Sequence, residues 1–491
     1  MDDRSWAPVP VDMPSPGLGI RAKRLARTCS VLARHLGPAA VKVALKKEPA
    51  ETAISRGARR SCEQLGATYV KFAQLVASAP AVVGPTVAEE FRGTLDRGPG
   101  VSYREVRRVF QEQTGKSLEE AFASFERRPF AAASMAVVHR ATLHDGQKVA
   151  VKVLRPGLGR VVSADLGLMI PFFRGLARAG NEQAFQLVSY LDGLRDQIGE
   201  ELDLRNEARS MDHFRGLFRE FNLDLLVVPR VFNEFSGEQV ITMEYLDGVP
   251  IDDLAMVEQL GLDPKALIRE LLRAWVLTAV HTGTFHADIH AGNLLAMPDG
   301  RLGMLDWGIV AQLDPETQIL MQKLVEASLG DESAWDTITG TLLKVQGVTL
   351  REGLGLSEEE VHRVVRSMME PILVMPLRDV SMASIFSGPD EVYRMAGREV
   401  VPRRGLIERA KKVVRTARAQ KIAFDAGYHE NSFQRSNFLS SKQLIYLERY
   451  GRMYVPEHAI LGDKEFLEGV VESMKARRAA AAGTATGHER T

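Results

Sequence analysis

Apolar residues recur at helical spacing through the first quarter of the chain. The pattern covers most of residues 20 to 128 and follows a proline-rich start over residues 1 to 19. Two helix starts are predicted by the capping-box motifs Ser102-x-x-Glu105 and Ser117-x-x-Glu120. The pattern therefore predicts a mainly helical first part that is preceded by a loose arm.

The pattern of apolar residues changes after Pro129, where apolar and polar residues alternate. Two runs rich in β-branched residues flank Asp145-Gly146, a pair that favours a tight hairpin between strands. A long helical stretch is predicted from about 158 to 220, and two further strands are predicted around Ser236-Gly237. We expect a small strand-rich unit that holds one long helix.

From residue 252 onward the pattern is helical again, with one short interruption. The segment NLLAMPDGRLGMLDWG predicts a hairpin that turns at Asp299-Gly300. Asp314 followed by Pro315 predicts a capped helix start, because proline is favoured at the first helical position. The alanine-rich tail is expected to be disordered.

These residue patterns predict five units along the chain. They are a flexible arm with a basic helix, a helical extension, a small lobe of sheet and helices, a larger helical lobe and a disordered tail. Their expected ranges are 1–50, 51–128, 129–247, 248–470 and 471–491.

Composition places the chain among ordinary globular proteins. Its 491 residues are 45% hydrophobic and 26% charged, which allows two or three domains. Two cysteines, Cys29 and Cys62, are too few for a disulfide framework and favour a reducing compartment. Lysine plus arginine equals aspartate plus glutamate at 63 each, so charge predicts no nucleic-acid partner.

Membrane segments are not predicted. The first 20 residues lack the apolar core of a signal peptide, and no apolar stretch is long enough for a transmembrane helix. A basic amphipathic segment over residues 403–422 fits a core-packed helix better than a helix on anionic lipid, although both interpretations stay open. We expect a cytoplasmic protein, and peripheral contact with a membrane surface stays an open alternative.

Three local features carry candidate chemistry. Lys152 lies within the apolar run VAVKVL, where a buried ammonium needs an anion, although an exposed edge-strand lysine is also common. Asp288 and Asn293 are five residues apart on a predicted loop, and Asp306 ends a predicted strand beside a glycine. A lysine strand, an Asp-x-x-x-x-Asn loop and an Asp-aromatic-Gly hairpin are together typical of kinase-like phosphate transfer.

In that arrangement each residue has an expected role. Lys152 contacts the α- and β-phosphates of ATP, Asn293 and Asp306 hold Mg²⁺, and Asp288 faces the phosphate acceptor as the candidate base. Zinc is a weaker alternative that uses three histidines close in sequence, His281, His286 and His290. It leaves the lysine unexplained, and we expect His286 instead to hydrogen-bond the backbone and brace the loop.

With these residues in place, the chain resembles the UbiB/AarF family of atypical kinases over roughly residues 55 to 315. Four motifs carry the resemblance in family order: LGATYVKFAQLVASAP, AAASMAVVHRATLHDGQKVAVKVLRPG, EELDLRNEA, and FHADIHAGNLL with MLDWG. The resemblance implies an α+β, two-lobed, protein-kinase-like fold that binds Mg-ATP. It also implies a helical N-terminal extension packed over the active site, and a link to isoprenoid-quinone or other lipid metabolism.

The resemblance also assigns further site residues. Lys71 and Gln74 of the KFAQ motif gate the site and meet acids of the Glu-x-Asp segment. Lys71 is expected to meet Glu201 and Asp203, and Glu207 is expected to pair with Lys152. The sequence leaves open which of Glu201 and Glu207 pairs with Lys152. The nucleotide is covered by Ala133 and Ser134, and the hinge that faces adenine holds Glu244 and Tyr245.

Departures from the family pattern keep other functions open. Ala136 and Val137 replace a glycine and a glutamine of the nucleotide roof, while Ile289 and Ala291 replace two prolines of the catalytic loop. We therefore expect an ATP-dependent phosphotransferase or ATPase. The alternatives are a nucleotide-binding pseudokinase and a small-molecule phosphotransferase. The protein partner and the phosphate acceptor are not predicted.

Overall fold

The computed structural model describes residues 6–78, 83–94, 100–179, 181–347, 351, 355–379, 394–397, 443, 446–459 and 461–487. The helices are α1 (Leu18–Ala44), α2 (Ala50–Leu65), α3 (Ala67–Ala77), α4 (Pro85–Arg92), α5 (Tyr103–Thr114), α6 (Leu118–Ala121), α7 (Leu158–Arg178), α8 (Glu182–Glu201), α9 (Leu204–Glu220), α10 (Leu254–Gln259), α11 (Pro264–Thr282), α12 (Pro315–Ser328), α13 (Ser333–Gly347), α14 (Glu358–Val374), α15 (residues 446–454) and α16 (Lys464–Gly487). The strands are β1 (Phe122–Phe125), β2 (Ala131–Ala132), β3 (Ala136–Leu143), β4 (Lys148–Leu154), β5 (Leu226–Val227), β6 (Val240–Glu244), β7 (Val249–Pro250), β8 (Thr284–His286), β9 (Leu294–Ala296), β10 (Leu302–Met304) and β11 (Val310–Gln312). The fold is α+β and two-lobed, as predicted.

The small lobe is built on an antiparallel sheet in the order β1-β3-β4-β6, with β2 paired to β3. Strands β3 and β4 form the predicted hairpin, and Gly146 adopts φ +87° in its turn, a conformation that glycine reaches without steric cost. Buried Val149, Val151 and Val153 of β4 pack in one cluster with Phe110 of α5. This cluster covers one face of the sheet.

The small lobe begins earlier in the chain than predicted. Strand β1 lies within the part that the apolar spacing assigns to helix, and Phe122 pairs with Leu143 of β3. The capping boxes at Ser102 and Ser117 are confirmed, but the second begins a helix of only four residues. A four-residue strand is too short to establish a period of its own, so the boundary at residue 129 was wrong.

The long helix expected between residues 158 and 220 is three helices, α7, α8 and α9. Asn181 caps α8 by accepting a hydrogen bond from Ala184 N at 2.8 Å, and Asp203 caps α9 by accepting from Arg205 N at 3.0 Å. Asparagine and aspartate satisfy the free amides at a helix start, which favours a break at these positions. The predicted single helix was therefore wrong.

One of the two strands expected near Ser236 belongs to a different sheet from the other. Strand β5 pairs with β10 in the sheet of the larger lobe, whose order is β5-β10-β9-β7. Only β6 joins the small-lobe sheet, beside β4, and Val231 adds a single bridge to Met243. The hairpin at Asp299-Gly300 is confirmed by the pairing of β9 with β10.

The larger lobe is organised around helix α11, whose buried residues include Leu271 and Trp275. Strands β8 and β11 pair beside it. Helix α12 begins at Pro315, and Asp314 accepts a hydrogen bond from Thr317 N at 2.9 Å, which confirms the predicted cap.

The N-terminal extension packs on the helices that follow the small-lobe hairpin. Arg24 of α1 forms a buried ion pair with Asp165 of α7, with Nε 2.6 Å from Oδ1. The arm before α1 is not loose within the described residues. Asn206 of α9 accepts from Val9 N at 3.0 Å and donates to Val9 O at 2.9 Å, so its amide holds the arm by both backbone groups.

The predicted disorder of the tail is also wrong for most of its length, because α16 continues to Gly487. Alanine has the highest helix propensity, which outweighs the low complexity of this segment. The basic segment 403–422 lies outside the described residues. Within the ranges that the structure describes, no helix is both long enough and apolar enough to cross a membrane.

Candidate active site

Lys152 lies on β4 with its ammonium group between two carboxylates. Its Nζ donates to both oxygens of Glu207 at 2.9 Å and to Asp306 Oδ1 at 3.2 Å. The side chains of Lys152 and Glu207 are 11% and 3% exposed. Burial alone would lower the pKa of Lys152, but the charges of Asp306 and Glu207 raise it, so the ammonium stays protonated.

Asp306 follows β10 in a backbone conformation that few side chains adopt. Its φ is +50°, in the left-handed region that aspartate and asparagine tolerate better than most residues. Buried Trp307 anchors the turn by donating from Nε1 to Met304 O at 2.9 Å. Burial would raise the pKa of Asp306, but Lys152 and Lys71 hold it below its usual range, so the carboxylate is charged.

The loop that carries Asp288 is braced as expected. His286 Nδ1 accepts a hydrogen bond from Asp288 N at 3.0 Å, and His286 Nε2 lies 3.4 Å from Leu305 O. Burial lowers the pKa of His286 to about 4, so the ring is neutral and one nitrogen can accept. Asn293 Nδ2 donates to Asp288 O at 2.9 Å and closes the loop.

The three histidines considered for zinc have separate surroundings. The His281 ring stacks on Phe221 with centroids 5.3 Å apart, while the His286 ring contacts Trp307 at 4.4 Å. His290 Nε2 lies 4.0 Å from Asp288 Oδ2. Among the described residues, no cluster of three or more histidine, cysteine, aspartate or glutamate side chains could hold a metal ion.

The acids of the Glu-x-Asp segment divide between the two lysines. Lys71 Nζ of α3 lies 2.9 Å from the Glu201 carboxylate at the end of α8, whereas Lys152 contacts Glu207. Asp203 does not take part in either pair, because it caps α9 and its Oδ2 accepts from Arg205 Nη2 at 2.8 Å. The expectation that Asp203 meets Lys71 is therefore not met by the contact geometry.

Most of the predicted site residues line one cleft of about 1510 Å³. The cleft is lined, among others, by Lys71, Gln74, Ala133, Ser134, Lys152, Glu244, Tyr245, Asp288, Asn293 and Asp306. A smaller adjoining cavity is lined by Lys71, Lys152 and Asp306 together with Glu201, Asp203 and Glu207. The structure thus brings together every predicted position, although these positions span 236 places in the chain.

The alanine-rich turn between β2 and β3 is held by a residue that sequence reasoning missed. Arg155 Nε donates to Ser134 O at 2.9 Å, and its Nη2 donates to Ala133 O at 2.7 Å. Arg155 is buried. Its place directly after the lysine strand, in the quoted run KVLRPG, was the available signal.

A second group of missed residues comes from α15, whose Tyr446, Arg449 and Met453 line the same cleft. Tyr450 of this helix donates its hydroxyl to Ile289 O at 2.9 Å. The signal was a run of three tyrosines at four-residue spacing, which places Tyr446, Tyr450 and Tyr454 on one helix face.

The donor set fits magnesium. Mg²⁺ prefers oxygen ligands, and the charged Asp306 carboxylate supplies two such atoms. Asn293 uses Nδ2 to bind Asp288 O, which leaves its Oδ1 as the oxygen of that amide able to ligate a cation. Lys152 provides a buried cation of the kind that binds phosphate oxygens.

Comparisons with known proteins identify the family to which this chain is similar. The family model of the ABC1 atypical kinase-like domain matches residues 94–335. An uncharacterized protein of Mycobacterium tuberculosis is 32% identical over 86% of this chain and 78% of its own length. An uncharacterized aarF domain-containing protein kinase of Arabidopsis thaliana, described as chloroplastic, is 30% identical over 83% of this chain and 73% of its own length.

Two further matches are a UbiB relative and a solved structure. A probable protein kinase UbiB of Cellvibrio japonicus is 30% identical over 72% of this chain and 64% of its own length. A solved structure of a Mycobacterium tuberculosis protein in complex with erythromycin is 23% identical, has a TM-score of 0.42, and covers 74% of this chain and 85% of that chain.

Proposed function

The chain belongs to the UbiB/AarF family of atypical kinases, and on that premise we propose that it binds Mg-ATP in the cleft and hydrolyses ATP or transfers its γ-phosphate. The observation that carries the proposal is the position of Lys152 between Glu207 and Asp306, in the cleft that Asn293 also lines. A strand lysine paired with a helix glutamate, beside an aspartate and an asparagine that can hold Mg²⁺, is the arrangement that kinase-like phosphate transfer uses.

In the proposed site each side chain has one task. Lys152 binds the α- and β-phosphates and is oriented by Glu207, while Asn293 and Asp306 ligate Mg²⁺. The bound ion would neutralise charge on the phosphate oxygens and so lower the barrier to transfer. Asp288, held by its backbone to His286 and Asn293, faces the acceptor hydroxyl or water as a base.

The remaining positions close the site around the nucleotide. Ala133 and Ser134 cover the phosphates on a turn that Arg155 stiffens. Glu244 and Tyr245 contribute backbone groups to adenine at the connection between the lobes. Lys71 and Gln74 of α3 gate the cleft from the extension, and the Lys71–Glu201 ion pair holds that gate shut.

We further propose that the phosphate acceptor or effector is an isoprenoid quinone precursor or another lipid, met at the surface of a membrane. This part rests on the family resemblance. A cytoplasmic protein with peripheral membrane contact fits it, and the balance of 63 basic and 63 acidic residues gives no electrostatic reason for a nucleic-acid partner.

Two other functions have a specific observation in their favour. A nucleotide-binding pseudokinase is favoured by the altered roof, where Ala136 and Val137 replace a glycine and a glutamine of the family pattern. A small-molecule phosphotransferase is favoured by the short segment from Asp306 to Pro315, which leaves little room for a protein-docking platform.

Release of ADP by the purified protein separates these functions. We expect Mg²⁺-dependent release that increases with anionic vesicles and is abolished in Lys152→Ala. Tight ATP binding without product, under every metal and lipid tried, would select the pseudokinase. Release that responds to a soluble hydroxyl acceptor and not to vesicles would select the phosphotransferase.

A further inference from the structure

Helix α15 forms a wall of the cleft although it lies more than 150 positions after the catalytic loop. Tyr446, Arg449 and Met453 line the cleft together with Asp288. The matched family domain ends at residue 335, so this wall is contributed by chain beyond that domain.

The helix is seated firmly against the segment that follows α14. Gly451 packs so closely on Leu377 that an added Cβ would overlap the Leu377 side chain. Arg452 Nε donates to Leu377 O at 3.2 Å, and Leu377 N donates to His458 O at 2.8 Å. These contacts help to set the position of α15, although Arg452 also lines the cleft.

Two buried tyrosines of α15 point their hydroxyl groups at backbone carbonyls of the larger lobe. Tyr450 donates to Ile289 O at 2.9 Å, and Tyr454 donates to Ile251 O. Burial raises the pKa of Tyr450, so its hydroxyl keeps the proton that it donates. The two hydroxyls lie four residues apart on one face, but only the first reaches the catalytic loop.

The contact from Tyr450 completes a series of three around the candidate base. Asp288 N is held by His286, Asp288 O by Asn293, and the next carbonyl, Ile289 O, by Tyr450. The first two partners are local in sequence, whereas the third is 161 positions away. Three side chains thus hold the backbone on both sides of the Asp288 Cα, and so fix the direction in which the Asp288 side chain leaves the loop.

We propose that Tyr450 is a positioning residue for Asp288, and that α15 orders the catalytic loop of this kinase through the Ile289 carbonyl. The inference rests on the proposed function, since it needs Asp288 to act at the acceptor. By this proposal, the C-terminal part of the chain supports turnover through one hydroxyl group, that of Tyr450.

The substitution Tyr450→Phe removes that hydroxyl and keeps the ring, and Tyr454→Phe is its matched control. We expect Tyr450→Phe to lower kcat for ADP release by about tenfold, because small misplacements of catalytic groups are costly. KM for ATP should stay within about twofold, since Lys152 and Asp306 are untouched. Tyr454→Phe should keep both constants near those of the parent, while its Tm falls by an amount similar to that of Tyr450→Phe.

Hydrogen exchange gives a readout that does not require turnover. Tyr450→Phe should speed exchange of the amides in residues 287–293, and Tyr454→Phe should leave them protected. If the parent protein releases no ADP, the proposed function is refuted. The hydrogen-exchange data alone would then test whether Tyr450 orders the loop. Parent-like protection of these amides in Tyr450→Phe, or equal loss of kcat in the two variants, would overturn the inference.

Discussion

Lys152 Nζ lies 3.2 Å from Asp306 Oδ1, although 154 positions separate the two residues. The amine proposed to bind phosphate and the carboxylate proposed to bind the metal therefore neutralise each other. In the proposed function, Mg-ATP would replace this ion pair by a lysine–phosphate contact and an aspartate–metal contact. The affinity for Mg-ATP is the difference between the two sets of contacts.

Replacing Lys152 by alanine should impair both binding and folding. The substitution removes the proposed phosphate contact and leaves the Glu207 carboxylate, 3% exposed, without its cation. Loss of one partner of a buried ion pair costs about 3–5 kcal/mol. Calorimetric titration with Mg-ATP should show the loss of binding, and urea unfolding should show the loss of stability. Lys148→Ala, at an exposed position of the same strand, is the control, and equal effects in the two variants would contradict the assignment.

The substitution Asp306→Asn should separate metal binding from folding. Asparagine tolerates the φ of +50°, so the variant should remain folded, but it lacks the charge that Mg²⁺ prefers. ADP release should fall by about 10²- to 10³-fold, as is usual when a group that stabilises transition-state charge is lost. The measurement is ADP release over a Mg²⁺ series. Asp299→Asn in the exposed β9–β10 turn is the control, and a parent-like rate in Asp306→Asn would end the metal assignment.

The Lys71–Glu201 ion pair should couple the extension to the small lobe energetically. Its side chains are 15% and 13% exposed, so it is less screened by water than a surface pair. A double-mutant cycle with alanine at both positions should give a coupling free energy of about 1–3 kcal/mol. The exposed Arg108–Glu112 pair, at 53% and 56%, should give less than about 0.5 kcal/mol. Coupling no larger than in that control would show that the gate is not held by this pair.

The neutral state of His286 should make stability depend on pH. Its pKa is about 4 in the folded protein and 6.5 in the reference state, so below pH 6.5 the unfolded chain binds the additional proton. Stability is thus retained above pH 6.5 and is lost as pH falls toward 4, by up to about 1.4 kcal/mol per pH unit. His286→Gln removes this contribution. Urea unfolding from pH 7 to 4.5 should therefore show that the free energy of unfolding falls more steeply in the parent than in His286→Gln. Parallel curves of this free energy against pH would contradict the prediction.

The contact between the arm and α9 should be measurable through Asn206. This residue is 2% exposed and holds Val9 by both backbone groups, so Asn206→Ala leaves buried polar atoms without partners. The expected loss is about 1–3 kcal/mol in the free energy of unfolding. Limited proteolysis should cut the arm faster in the variant. If cleavage and stability match the parent, the arm does not depend on this contact.

Short local patterns predicted the elements that they control directly. The turns at Gly146 and Gly300 need a positive φ, and serine or aspartate caps need only the amides of the next turn. The brace from His286 to Asp288 is likewise local, because it spans two residues. Such features are recognisable in one sequence because both partners lie in the same window.

Elements that depend on a distant partner were missed or misplaced. Strand β1 has four residues and β5 has two, so neither shows a period, and each exists because another strand offers its backbone. The break between α8 and α9 was also missed, and it is this break that orients Glu201 toward Lys71 and Glu207 toward Lys152. Three acids within seven positions cannot be assigned to two lysines without that geometry.

By itself, the sequence determined which residues carry charge or a hydroxyl, which turns and caps form, and which motifs a kinase-like site would use. Only the tertiary structure decided that Lys152 meets both Glu207 and Asp306, that Asp203 caps a helix, and that Tyr450 holds Ile289. The physical reason is that a buried ammonium or carbonyl must find a partner nearby in space. Which group lies nearby depends on how the helices and sheets pack, and local patterns do not encode that distance.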